Sequence, residues 1–327
     1  MRLLFSLLLL TASHIKAQDT FSIVALDSIT GEVGSAGASC VDLDLFFGFE
    51  DDFLGELFPG QGAINTQAYY LQANQLNART RMNAGDTPQE IIDWLVANDL
   101  QGTPQFRQYG ITALVNGSPQ SAGYTGSSTD DYKNHITGPG YSIQGNILLG
   151  PAILDSMETR FLNAEGDLAC RLMAALQGAN VVGADTRCAS NGTSSLFAFV
   201  KVAQPEDAFG DPSFVRSVRT GNGDGIEPID SLQSIFNSTW ICSPIGLDEV
   251  SAFPYIIFPN PTQNSLSVLL GNEETVLLEL FDMNGRLIYS ERASVNVEFD
   301  LSSLEAGLYI LQVSNENGTF RTEVMKE

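Results

Sequence analysis

The sequence predicts an α+β layered domain followed by a small all-β sandwich, and three observations carry that prediction. Residues 20–39 alternate in strand fashion around a turn, whereas residues 84–100 and 150–180 carry helical periodicity. From about Ser251 onward only short alternating segments separated by turn residues remain. Strands first, paired helices between and a closing strand give an α+β domain over roughly 20–205, within a chain whose 327 residues leave room for a second module.

The elements follow in order. "MRLLFSLLLLTASHIKAQ" has Arg2, an apolar run from Leu3 to Leu10 and Ala17 before Gln18, which reads as a signal peptide over 1–17 cut after Ala17. Ile15 is not the small residue usual three positions before such a cut. The run is too short to span a bilayer, no later segment qualifies, and no cysteine follows for lipidation, so an exported chain without a transmembrane segment is expected. "TFSIVALDSITGEVGSAGASC" reads as two strands about a turn, and "GQGAINTQAYY" as a buried strand running into a helix. "AGDTPQEIIDWLVANDL" is a helix capped by Asp86 or Thr87, with Pro88 in its first turn and Ile91, Ile92, Leu95 and Val96 inward. "QYGITALVNGSPQSAGYTG" is a hairpin turning at Asn116-Gly117. Residues 150–180 give two helices broken near Gly166, and "GTSSLFAFVKVAQ" a closing strand ending at Pro205. The pattern weakens over 206–250, an extension or linker. There "RTGNGDGIEPIDSL" superficially resembles a calcium loop but has Thr220 at the first ligand position, so a solvated turn is favoured. The segment 251–327 is a small antiparallel β-sandwich with hairpins at Asn284-Gly285 and Asn317-Gly318.

Composition narrows the chemistry. A formal net charge of −23 argues against nucleic acid and anionic lipid as partners and mainly serves solubility. Cys40, Cys170, Cys188 and Cys242 permit two disulfides in three connectivities. No CxxC spacing occurs and only His135 survives removal of the signal, so neither a metal nor another cofactor is expected. A Ser-His-Asp triad could use only His135, and neither a G-x-S-x-G elbow nor a phosphate loop is present. Glu50, Asp51 and Asp52, between Phe49 and Phe53, read as an exposed loop rather than a glycosidase pair.

One nucleophilic chemistry needs no histidine. A Thr, Ser or Cys made N-terminal at the start of a strand can use its own α-amine as general base, because that amine titrates near 7.7–8.0. Thr20 opens the first strand.

Two resemblances add to this reading. "FPNPTQNSLSV" (258–268), "LFDMNGRLIYS" (280–290), "DLSSLEAGLYILQV" (300–313) and "TEVMK" (322–326) resemble, in order, the type A C-terminal sorting domain of the type IX (Por) secretion system. The resemblance implies type IX machinery as a partner of 251–327 and a destination outside the cell or on its surface. "TFSIVALDSITGEVGSAGAS" (20–39), "GAINTQAY" (62–69), "NHITGPGYSIQGNILLGP" (134–151) and "GADTRCASNGTSSLFAFVKV" (183–202) resemble the Ntn-hydrolase-like family of unknown function, DUF1028. That resemblance implies the four-layer αββα Ntn-hydrolase sandwich over 18–205 and a hydrolase acting on amide bonds of an unknown small-molecule or peptide substrate. Carried over residue by residue, Thr20 is the nucleophile and Asn146 an oxyanion-hole or substrate-orienting amide. His135 lies in the family's Gly/His-rich segment, Thr66 and Gln67 line the cleft, and Asp185 and Arg187 form a pair in the "GADTR" loop, structural rather than catalytic. Gln18 and Asp19 depart from the pattern: a cut after Ala17 leaves two residues ahead of Thr20, and its amine is freed only by a further cut. Cys188 and the "LFFGFEDDF" region also look unlike a minimal member. The alternative is a non-catalytic surface or binding protein on the same scaffold.

Overall fold

A computed structural model describes residues 20–45, 48–242, 255–270, 275–283, 285–315 and 318–327. The signal peptide, the Asp19–Thr20 bond, the Ser251 boundary, and Asn284 and Asn317 of the two hairpins lie outside the described residues. The chain divides into two compact units, Met1–Pro244 and Ile245–Glu327.

The first unit is mixed α/β. Its strands and helices run β1 (Thr20–Leu26), β2 (Val33–Ser39), β3 (Gly55–Phe58), β4 (Gly62–Gln67), α1 (Gln72–Asn83), α2 (Pro88–Ala97), β5 (Gln108–Val115), β6 (Ser118–Thr125), β7 (Asn134–Gly138) and β8 (Tyr141–Gly145). They continue with α3 (Ala152–Asn163), α4 (Leu168–Gly178), β9 (Phe197–Ala203), β10 (Phe214–Arg219) and α5 (Pro228–Thr239). One antiparallel sheet has six strands in the order β10-β9-β2-β1-β8-β7, and another has four in the order β3-β4-β5-β6. Helices α3, α4 and α5 cover the first sheet. Leu172, Met157, Phe161 and Phe236 pack there against Phe21, Ile23, Ile143 and Val200. Helices α1 and α2 cover the second, through Met82, Ile91 and Leu95 against Ile64, Tyr109 and Ile111. The uncovered faces of the two sheets meet each other, with Val24, Val33, Leu57 and Ala63 closing one end.

Local chemistry explains several elements. Thr87, rather than Asp86, caps α2: its side chain accepts from the Glu90 N–H while the Glu90 carboxylate accepts from the Thr87 N–H, a reciprocal capping box. Asn116 and Gly117 turn the β5–β6 hairpin with φ of 52° and 75°, the left-handed conformations a two-residue tip needs. Residues 214–239, where the sequence pattern weakens, form β10 and α5. Both join the main core through Phe214, Ile229, Leu232 and Phe236, so β9 is an inner strand with β10 at the edge. The 220–225 turn closes on itself, with the Asp224 carboxylate accepting from the Gly221 N–H at 3.2 Å. Disulfides Cys40–Cys188 and Cys170–Cys242 settle the pairing.

The second unit is all β. It comprises β11 (Ile256–Phe258), β12 (Ser265–Leu269), β13 (Val276–Asp282), β14 (Leu287–Ala293), β15 (Val297–Asp300), β16 (Gly307–Asn315) and β17 (Gly318–Lys326). A three-stranded sheet (β11-β12-β15) and a four-stranded sheet (β14-β13-β16-β17) enclose one core, including Leu266, Leu278, Leu280, Phe299, Leu311 and Val324. The alternation read from the sequence is the alternation of that core: Val276, Leu278 and Leu280 are buried while the residues between them are not.

Candidate functional site between the two sheets

Strand β1 is the site's foundation. It lies in the middle of the six-stranded sheet and is buried along its whole length. Phe21, Ile23 and Ala25 face the helices, so alternation turns Thr20, Ser22 and Val24 toward the other sheet. The same parity on the neighbouring strands brings Ser35, Asn65, Gln67, Gln108, Ser142 and Gln144 to the space between the sheets, all of them buried. Glycines make room for these side chains. A Cβ on Gly110 would stand 1.9 Å from Gln144 Oε1, and one on Gly55 would stand 2.4 Å from Ser35 Oγ.

The polar groups form a directed chain. The Ser142 hydroxyl donates to Gln144 Oε1 at 3.0 Å, and Gln144 Nε2 donates to Ser22 Oγ at 2.6 Å. Ser22 donates to Gln67 Oε1 at 2.5 Å. Gln67 Nε2 in turn donates to the Thr20 carbonyl at 3.1 Å and to Gln108 Oε1 at 2.7 Å. Gln108 Nε2 donates to Thr125 Oγ1 at 2.9 Å, and Thr125 Oγ1 lies 2.9 Å from His135 Nδ1. Thr125, which accepts from Gln108, thus joins the imidazole to the chain of amides, as acceptor or donor according to which ring nitrogen of His135 carries the proton. Burial pushes the His135 pKa down.

The structure gathers the sequence candidates unevenly. Thr20, 1% exposed, is held through its carbonyl by Gln67 and by the Asn146 N–H at 3.1 Å. Asn146 is buried and precedes Ile147, whose φ of 52° is rare for a β-branched residue and marks local strain. Asp185 is reached through the neighbouring strand. Thr20 pairs with Ser39, and the Asp185 carboxylate accepts from the next backbone N–H, Cys40, at 2.8 Å. Arg187 closes on the same carboxylate, Nη2 to Oδ2 at 2.7 Å and Nε to Oδ1 at 3.1 Å, so the pair clamps the loop beside the site. Among the described residues, hydrogen bonds lead from His135 to the Thr20 carbonyl through Thr125, Gln108 and Gln67. Thr66 sits on the opposite face of β4, in step with Ile64 and the helix-covered core, and its buried hydroxyl has no hydrogen-bond partner among the described residues.

Sequence reasoning missed the polar seam itself. Ser22, Gln108 and Gln144 were visible only as polar residues alternating with apolar ones inside strands, a pattern that ordinarily signals solvent on one side. It also missed the brace behind Gln67. The two residues after Gln67, Ala68 and Tyr69, have φ of 51° and 41°, and the buried Arg107 donates to the Tyr69 carbonyl. Arg107 Nε is paired with Asp99 Oδ2 at 2.9 Å, and both side chains are buried. Burial alone would raise the Asp99 carboxyl, but donation by Arg107, the Thr103 N–H and Asn74 outweighs it and holds the pKa at about 2. Within the 50–52 run, Asp51 binds Arg219 and Ser217, and Asp52 binds Lys201.

The model of a family of unknown function, DUF1028, matches residues 20–211, more than half of the chain and beginning at Thr20 itself. The chain belongs to this family. A crystal structure of a protein from Silicibacter pomeroyi that carries the same family model shares the fold. Its TM-score is 0.51 at 20% identity, over 67% of this chain and 88% of that one. The model of a secretion system C-terminal sorting domain matches residues 256–327. The DUF1028 domain is therefore carried by a chain marked for export, to the cell surface or beyond, and handled by the type IX machinery. No helix of the described residues is long and apolar enough to cross a membrane. No curated protein matches the chain.

Proposed function

We propose that this protein is an exported N-terminal nucleophile hydrolase that cleaves an amide or peptide-like bond through Thr20, on a sandwich of the Ntn αββα type. The observation that carries the reading is the position of Thr20. It is the first residue of a central strand, on the face between two sheets, with its carbonyl fixed by two donors. An N-terminal nucleophile needs that placement, because strand pairing then fixes the hydroxyl and the α-amine together.

Once the signal peptide, Gln18 and Asp19 are removed, the free amine takes the Thr20 Oγ1 proton as Oγ1 adds to the substrate carbonyl carbon. The tetrahedral oxyanion collapses, the amide nitrogen leaves with the proton the amine held, and an acyl ester remains on Thr20. Water, deprotonated by the same amine, hydrolyses that ester. In this reading the Asn146 amide donates to the oxyanion, a contribution of roughly 3–4 kcal/mol where such a donor has been removed from other hydrolases. Asp185 and Arg187 hold the loop and take no proton.

N-terminal sequencing of the secreted protein tests the reading. A chain beginning at Thr20, labelled once by a β-lactone, with labelling lost in Thr20→Ala and kept in Ser22→Ala, is expected. A secreted chain that still begins at Gln18 and resists the β-lactone overturns it in favour of a non-catalytic binding protein.

A further inference from the structure

A cavity of about 480 Å3 lies beside the polar seam, walled by the rings of Phe49, Phe53 and Tyr70, with Glu50, Asp52, Glu56 and Lys201 on its polar side. Strand pairing places it: Thr20 pairs with Ser39, Ser39 pairs with Phe197, and the Phe197 ring is 6.1 Å from that of Phe53. The aromatic wall thus continues the inner face on which Thr20 stands. Phe49 and Phe53 of that wall belong to the "LFFGFEDDF" region.

The rings contact one another directly, with centroids 4.9 Å apart for Phe49 and Phe53, 5.9 Å for Phe49 and Tyr70, and 5.0 Å for Phe53 and Tyr70. Such a wall attracts apolar groups and cations alike. Charge selects between ligand classes. Lys201 Nζ donates to the Asp52 carbonyl at 3.1 Å, the Asp52 carboxylate at 2.8 Å and the Gly55 carbonyl at 2.7 Å. An ammonium has three protons, so Lys201 keeps none for a ligand. Arg79 beside it is engaged with Glu56. The Tyr70 hydroxyl donates to Gln75 Oε1 at 2.7 Å, and burial, with Glu56 adding, pushes its pKa to about 12, so the ring stays a neutral phenol. By contrast, the Glu50 carboxylate is exposed and makes no hydrogen bond or ion pair among the described residues. The cations are turned inward and the uncompensated charge is negative, which disfavours an anionic ligand.

We propose that this cavity binds a small organic ammonium ion carrying an apolar group, with the ammonium at Glu50 and the apolar part against Phe49, Phe53 and Tyr70. The inference goes beyond the hydrolase reading and stands or falls by binding alone, whether or not Thr20 reacts.

Calorimetric titration of the secreted chain at neutral pH with benzylammonium, benzyl alcohol and benzoate tests it. Benzylammonium is expected to bind with a Kd of about 1 mM, in keeping with a ligand of its size, and roughly tenfold more tightly than benzyl alcohol. Glu50→Gln, which keeps the shape of an exposed side chain, should weaken benzylammonium about fivefold and leave benzyl alcohol unchanged. Phe49→Leu should weaken both. Equal affinity for the cation and the alcohol, tighter binding of benzoate, indifference to both substitutions, or no heat up to about 10 mM benzylammonium would each overturn the proposal.

Discussion

The two faces of strand β1 are equally buried and chemically opposite. Phe21, Ile23 and Ala25 sit in an apolar core against α3 and α4, while Thr20 and Ser22 sit among amides and hydroxyls from both sheets. Apolar burial stabilises by removing area from water and tolerates many shapes. The polar face stabilises through donors that meet their acceptors, and each orphaned buried group costs about 1–3 kcal/mol. One face therefore supplies stability, and the other fixes geometry around Thr20.

Predictions from this contrast run from the largest effect to the smallest. Thr20→Ala should abolish β-lactone labelling completely while leaving the thermal unfolding midpoint nearly unchanged, read by intact mass and calorimetry. Asp99→Ala, which strands the buried Arg107, should cost about 3–5 kcal/mol in denaturant unfolding and loosen the turn that aims Gln67. The Asp99 carboxyl is also a source of acid sensitivity. Its folded pKa of about 2 lies below the ordinary value of about 3.9, so its contribution is complete above pH 4 and is lost as pH falls toward 2. Asp99→Asn should flatten that acid limb.

Ile23→Ala and Gln67→Ala compare the faces directly. Ile23→Ala is expected to cost about 2–5 kcal/mol without changing the labelling rate per folded molecule. Gln67→Ala should cost about 1–3 kcal/mol and slow labelling, because the Thr20 carbonyl loses one of its two donors. Equal labelling rates in the two variants would break the comparison. The smallest effect belongs to His135. Its folded pKa is depressed, so stability is complete above about pH 6.5 and declines as pH falls below it; His135→Asn should remove that slope between pH 7 and 5.

The sequence by itself determined what is local or repetitive. Thr87-Pro88-Gln89-Glu90 writes a helix start, Asn116-Gly117 writes a hairpin, and the strict alternation of 276–280 writes a half-buried sheet. The motifs of 20–202 and 258–326 were enough to name both families, and Thr20 was legible as a strand's first residue. Tertiary structure alone decided which way each buried strand faces. Ser22, Gln67 and Gln144 lie 45 to 122 residues apart in sequence, and only the packing of two sheets makes them partners. It also enlisted 214–239 in the main core, turned Thr66 away from Thr20, and chose one cysteine pairing among three. The physical reason is the same in each case. Hydrogen bonds and contacts between distant segments are fixed by sheet order and register, and neither leaves a trace in the spacing of residues along one strand.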